Sequence, residues 1–252
     1  MNIAIPQNIY TALFALALPD DLKEKVNIKE SSLITKELIE GKYDVGLIPS
    51  CDLLTHKDLF VSKEYGVSFD GALSNSYLYF VPEQHDFKRI LLRGDIASND
   101  LILSKILFSE QYDIEAEFSL DTGVIDFENN NYLIVGLENS DYTVTNNGIS
   151  FADQFAELLD FPYVNFVLAS TSEEKLKAFT SRLGNIDEKI TSNLKTLMNQ
   201  LDIDSRLQTL IEDNSDAIYF DLTKNEIEGL NEQIRLAYYH GIIEDIVEVN
   251  FV

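Results

Sequence analysis

The chain is poor in the residues that most directly announce a chemistry. Of its 252 residues one is cysteine, three are histidine and only 19 are lysine or arginine. A lone cysteine, Cys51, excludes an internal disulfide and suits a reducing compartment. His56, His85 and His240 are scattered and form no metal-ligand spacing, so each reads as a surface or packing residue. No run of eighteen apolar residues occurs, so no membrane-spanning helix is expected. The opening Met1-Asn2-Ile3-Ala4-Ile5-Pro6 has no basic segment ahead of an apolar run, so no secretory signal is expected either. Together these point to a soluble, intracellular protein. Basic residues are outnumbered by 43 acids, giving a formal charge of −24. Nucleic acid and anionic membrane are poor partners for such a surface, because phosphate recognition rests on lysine and arginine. There is no internal repeat and no low-complexity linker, and the densest polar run, Glu128-Asn129-Asn130-Asn131, is short enough to be one loop.

The chain is rich in apolar patterning, at 45% of the residues, enough for one large domain or two lobes. The stretch from Ser32 to Ser50 sets the theme. Ser32 is positioned to cap a helix whose apolar face is Ile34, Leu38 and Ile39. Gly41 fits the left-handed residue after its end. Val45 to Ile48 is short and continuously apolar, the mark of a buried parallel strand, and Pro49 ends it. The residues after such a strand lie at the carboxyl edge of a sheet, where ligands bind. Strands are also expected at Ile3–Ile5, Asn27–Glu30, within Leu59–Val67, at Ser76–Val81, Ile90–Leu92, Tyr132–Gly136 and Tyr163–Ala169. Helices are expected at Tyr10–Leu18, from an Asn99 or Asp100 cap to Gln111, and at Phe151–Leu159. After Ser170 the pattern is helical to about His240, in segments Ser172–Leu183, Ile186–Leu201, Asp204–Asp213 and Thr223–His240, with Gly241 as the stop. Two parallel-sheet α/β lobes satisfy this order, one from residues 1–85 plus 170–252 and the other from 86–169. The crossings near 82–89 and 169–173 would form the hinge, with the ligand between the lobes.

Particular residues carry a resemblance. Ser32, nine residues ahead of Gly41, and then Tyr43-Asp44-Val45-Gly46-Leu47-Ile48-Pro49-Ser50, resemble a conserved block of the menaquinone-biosynthesis enzymes of the futalosine pathway. Leu133-Ile134-Val135-Gly136 is similar to that family's LLIGD strand. Phe151 to Phe155, continuing to Phe161-Pro162-Tyr163-Val164, is similar to its TGLPFVFA block. Ile106-Leu107-Phe108 with Glu110 and Tyr112, Gly71 with Ser76, and Tyr238-Tyr239-His240-Gly241-Ile242 are similar to further blocks, in the same order over nearly the whole chain. The Phe161–Val164 stretch and the length favour the chorismate dehydratase branch. The resemblance implies a two-lobed type II periplasmic-binding-protein-like fold with a ligand cleft between the lobes. It implies a carbon–oxygen lyase that eliminates water from chorismate to give a carboxyvinyloxy-benzoate, with no metal or organic cofactor. It further implies a small-molecule carboxylate ligand and a cytoplasmic location; a homodimer is compatible with it.

Carried over residue by residue, the resemblance makes Ser76, Asn8 and Tyr10 the catalytic candidates, and Thr11, Ser50, Asn75, Ser98, Asn99 and Asp100 the substrate-binding ones. Ser50, Cys51, Thr11, Ser76 and Ser98 should face the cleft, since all follow strands or start helices. The sequence also departs from the family pattern. The family's cleft asparagine falls on Tyr10, with Asn8 two residues earlier. Its serine–threonine helix start falls on Ala97-Ser98-Asn99-Asp100. Its GD becomes Gly136-Leu137 and its TG becomes Leu159-Asp160; the serine after Gly71 is Ser76 with one insertion and Asn75 without. An Asp100 carboxylate in a first helical turn should be stabilised by free amides, by roughly 0.5–2 kcal/mol, and should oppose an incoming anion. From Arg89 to Leu168 there are three basic residues against fourteen acids, a net of −11, which is unfavourable for a lobe closing on a dianion. The alternative to the lyase is a catalytically diverged or inactive two-lobed protein that binds another small molecule. Tyr10 discriminates: a ring filling the cleft leaves little place for the ring of a substrate. Tyr10, Tyr77, Tyr79 and Tyr163 read equally as pocket or core.

Overall fold

The computed structural model describes residues 1–84, 87–142, 148–201 and 203–252; His85 lies outside them. Strand β1 (Ile3–Pro6) leads into helix α1 (Ile9–Ala17), then the short α2 (Asp20–Lys23), β2 (Val26–Lys29), α3 (Ser31–Ile39) and β3 (Val45–Pro49). A tight 3-10 segment over Ser50–Leu54 precedes the long β4 (Phe60–Phe69), and β5 (Ser76–Tyr79) comes next. The middle of the chain forms β6 (Arg89–Gly94), α4 (Ser98–Tyr112), β7 (Glu117–Leu120), β8 (Asn131–Val135), β9 (Ile149–Ser150) and α5 (Phe151–Leu159). The remainder is β10 (Tyr163–Ser170), α6 (Glu173–Thr180), α7 (Ile186–Met198), α8 (Ser205–Asp213), β11 (Ile218–Asp221), α9 (Lys224–Tyr239) and β12 (Asn250–Phe251). No described helix is long and apolar enough to cross a membrane.

These strands make two sheets, as a two-lobed fold requires. One has seven strands in the order β11-β4-β10-β3-β1-β2, with β12 also on β4; the other has the order β7-β6-β8-β5-β9. Both are mixed rather than parallel. In the first, β10 runs against its neighbours β3 and β4; in the second, β5 runs against β8 and β9. The change of sheet also differs from expectation. The apolar Ser76–Tyr79 strand joins the middle sheet, and Tyr163–Ser170 joins the first, so the chain passes between sheets at 70–75 and 161–162. A strand arriving from the other lobe enters at the edge facing it, which is why β5 and β10 run against the strands beside them. The start of β5 therefore lies beside the end of β8, with Ser76 opposite Val135. The early part of β10 lies beside the end of β3, with Phe166 opposite Pro49.

Local chemistry sets the ends of the elements. Gly41, at φ +75°, comes after α3, and the Lys42 and Gly41 amides donate to Glu37 O and Leu38 O at 3.0 Å each. That paired pattern closes a helix through a left-handed residue. Gly94, at φ +86°, leaves β6 with a Cβ position only 2.0 Å from Val135 O, so no side chain fits there. Asp160 ends α5 at φ +59°, where the resembling family carries glycine. A left-handed residue with a Cβ is strained, although aspartate tolerates it better than most. Asp160→Gly is accordingly expected to raise stability by ~0.5–1 kcal/mol, read as a higher urea midpoint; an unchanged or lower midpoint would show that the strain is absent. The largest apolar cluster runs through both lobes, from Ile3 and Phe14 to Leu78, Leu107 and Phe151, so the lobes share one core.

Candidate functional site

The cleft lies where the carboxyl ends of β1, β3, β6 and β8 face one another, and three sets of contacts fill it. The first is a clasp. Ser32 does not cap α3; the residue before that helix is Glu30, which makes no side-chain cap. The carboxylate of Asp95, in the loop after β6, reaches across instead. It accepts from the Ser31 amide at 2.9 and 3.1 Å and from the Ser31 hydroxyl at 2.5 Å. A helix N-terminus that could receive a ligand anion thus already holds one of the protein's own carboxylates. Burial raises the Asp95 pKa, against the opposing pull of the Ser31 hydrogen bonds. Ser31→Ala removes the shortest of the three contacts and is expected to cost ~0.5–1.5 kcal/mol, measured by urea unfolding; no change would mean that the clasp does not hold the lobes.

The second set surrounds a small cavity between the lobes, about 20 Å³ in volume, lined by Asn8, Tyr10, Ser74, Asn75, Tyr77 and Asn139 among others. Asn8 precedes α1 and its Oδ1 accepts from the Thr11 amide at 2.9 Å, leaving Nδ2 buried with no partner. Asn75 Oδ1 is likewise buried and unpartnered. The Tyr10 ring packs edge-on against Phe69 at 4.9 Å, and its hydroxyl interacts with that of Tyr77. Burial drives both phenols well above their ordinary pKa, so both stay protonated and neutral. Such a volume holds about one water molecule, against roughly 300 Å³ or more for a drug-sized ligand.

The third set is a buried hydrogen-bond network. Asn99, in the first turn of α4, accepts from the Cys51 amide at 2.8 Å and donates to Asn165 O at 2.6 Å and Asn165 Oδ1 at 3.1 Å. Ser50 Oγ donates to Val164 O at 2.8 Å and accepts from Gln233 Nε2 at 2.5 Å. Beside this network, Asp100 accepts from the Ala97 amide at 2.9 Å. It does not gain the stabilised charge expected of a first-turn carboxylate. Burial outweighs the amides and pushes its pKa up to about 7. The Ser76 hydroxyl lies close enough to Asp100 to lower that value, without closing a hydrogen bond of good geometry.

The sequence-derived site residues therefore separate into groups. Asn8, Tyr10 and Asn75 meet at the cavity. Ser50 and Asn99 bind each other's neighbourhood rather than open space. Ser76 and Asp100 are adjacent and buried, and the Ser98 hydroxyl is buried without a partner. The Thr11 hydroxyl is spent on Pro6 O at 2.6 Å. Sequence reasoning did not single out Asp95, Ser74, Asn139, Asn165 or Gln233. Ser74 and Asn165 sit on or before strands that run against their neighbours, so a rule based on strand carboxyl ends does not find them. His240 Nε2 lies 2.8 Å from Glu110 Oε1, joining the end of α9 to α4. Among the described residues no group of three or more histidine, cysteine, aspartate or glutamate side chains is placed to hold a metal ion.

No family model and no curated protein matches the sequence. Solved structures do resemble the fold. Protein AF1704 of Archaeoglobus fulgidus superposes with a TM-score of 0.66 at 16% identity, over 96% of this chain and 98% of that one. The alkanesulfonate-binding protein SsuA of Xanthomonas axonopodis pv. citri, bound to MOPS, gives 0.60 at 12%, over 100% and 97%. The Candida albicans CA3427 gene product, described as having the generic periplasmic binding protein fold, gives 0.60 at 9%, over 97% and 91%. At these identities the likeness concerns architecture, and the architecture is the two-lobed fold of the periplasmic binding proteins.

Proposed function

We propose that this protein is a two-lobed small-molecule-binding protein in which the dehydratase chemistry implied by the sequence resemblance has been lost. The observation that carries this reading is Tyr10. Its ring is packed against Phe69 at the cavity between the lobes, where the resembling family has an asparagine. Two further features support it. The cavity lining contains no charged side chain among the described residues, whereas a dianion such as chorismate needs cations or free amides. The Ser31 amide at the start of α3 is engaged by Asp95. The neighbouring fold is one that elsewhere holds small molecules, as in the MOPS-bound alkanesulfonate-binding protein.

One observation favours the lyase. Ser76 and Asp100 are buried side by side, and a carboxyl with a pKa of about 7 suits a general base. Neither residue lines the cavity between the lobes, so the pair would need the lobes to part before it met a substrate. Thermal-shift titration with a panel of charged and uncharged metabolites tests the proposal. A compound that raises the midpoint of the wild type but not of Asn75→Leu supports it. Enzymatic conversion of chorismate overturns it.

A further inference from the structure

Resting on the binding-protein reading, we propose that the cleft selects an uncharged ligand with a small head that both donates and accepts hydrogen bonds, such as a primary carboxamide, carried on an apolar body. The polar cavity does not stand alone. A second, open hollow of about 270 Å³ adjoins it, and Asn8 and Ile9 belong to the walls of both. This outer hollow is mainly apolar, with Ile5, Ile9, Ile28, Leu137, Leu201 and Ile203 in its lining. It too spans the lobes, since Leu137 comes after β8 while Ile5 and Ile28 belong to β1 and β2. Leu137 stands at the mouth of the cleft as a partly exposed hydrocarbon side chain.

The inner cavity supplies the complementary half. Asn8 Nδ2 is a buried donor and Asn75 Oδ1 a buried acceptor, both unpartnered, and the two residues line the cavity from the two lobes. Asn8 is oriented by the Thr11 amide on its Oδ1, which fixes Nδ2 as the group left over. Unpaired buried polar atoms are unfavourable, and a ligand that pairs both removes the penalty. A carboxamide carries both groups, a carbonyl to accept from Asn8 and an amino group to donate to Asn75, and it enters as the lobes part, since the closed cavity has room for about one water. A carboxylate accepts from Asn8 but meets Asn75 Oδ1 with another oxygen, and neither hollow has a charged side chain in its described lining to neutralise it. An alkylammonium lacks the acceptor for Asn8.

Calorimetric titration with octanamide, octanoate and octylamine tests the inference. Octanamide is expected to bind about tenfold or more tightly than either charged analogue, the order expected when one buried polar group is left unpaired. Asn75→Leu should weaken octanamide about tenfold, and Leu137→Ser, at a partly exposed position, should weaken it severalfold without unfolding risk. Binding of octanoate as tight as that of octanamide would overturn the ligand class and leave the binding-protein reading standing. Absence of binding by all three probes, with a folded protein by circular dichroism, would also overturn it. Conversion of chorismate would instead overturn the reading beneath it.

Discussion

Replacing Asp100 with asparagine is expected to make the protein more stable above neutral pH and to flatten its stability profile between about pH 4 and 8. The Asp100 carboxyl has a pKa of about 7 in the fold against 3.8 as an ordinary aspartate. Between those values the folded state keeps a proton that the unfolded chain has released. Stability from this group is therefore fully present below about pH 4, falls as pH rises, and is lost above 7. A shift of this size corresponds to an upper bound of ~4 kcal/mol, and relaxation around the ionised group brings the expected loss to about 2–4 kcal/mol. Asparagine retains an oxygen for the Ala97 amide and carries no charge to desolvate. Asp187, raised by burial to about 6 while accepting from the Phe220 amide at 2.7 Å, leaves a shallower slope of the same sign in the variant. Urea unfolding at half-unit pH steps reads this directly; a variant with the wild-type slope would show that Asp100 is ionised throughout.

The second large effect concerns Asn99. Its side chain joins the first turn of α4 to the Cys51 amide after β3 and to both oxygens of Asn165 in β10, at 2.6–3.1 Å. These partners belong to the first sheet, while Phe108 of α4 packs on Phe118 of β7 in the second, so Asn99 ties the start of α4 to the first lobe. Asn99→Ala leaves a buried amide and a buried carbonyl unpaired, each costing ~1–3 kcal/mol, and removes a member of a network that includes Ser50 and Gln233. The expected loss is ~3–5 kcal/mol, in one transition, because the lobes share a core. A single transition less than about 1 kcal/mol below the wild type would mean that Asn99 faces solvent or ligand space, as the sequence resemblance had placed it.

How much of this was legible in the sequence depends on the range of the forces involved. Local signals read well. The apolar run Tyr10–Leu18 gave α1 to within a residue at each end, Gly41 gave the end of α3, and the bounds of α5 fell on Phe151 and Leu159 as expected. Continuous apolar runs gave the buried strands β3, β8 and β10. Partnership did not read. Ser76–Tyr79 is equally apolar in either lobe, and only pairing with β8 assigns it. Ile218–Asp221 is too short for its pattern to stand out from the flanking helices, and its pairing with β4 makes it a strand. Asp95 could not be recognised as the cap of α3, since the two meet across 64 residues. At the site, sequence resemblance pointed to Asn8, Tyr10 and Asn75, which do share a cavity. It could not show that Asp100 is fully buried, which reverses the sign of its expected pKa shift.

On the proposed reading, Tyr10, the Asp95 clasp and an uncharged cavity close this cleft to chorismate. Incubation of the purified protein with chorismate, following its absorbance and identifying products by mass spectrometry, decides it. Loss of chorismate is expected to be no faster than in a protein-free control at any protein concentration, with none of the carboxyvinyloxy-benzoate formed. Saturable formation of that product, abolished by Ser76→Ala, would contradict the claim and restore the lyase.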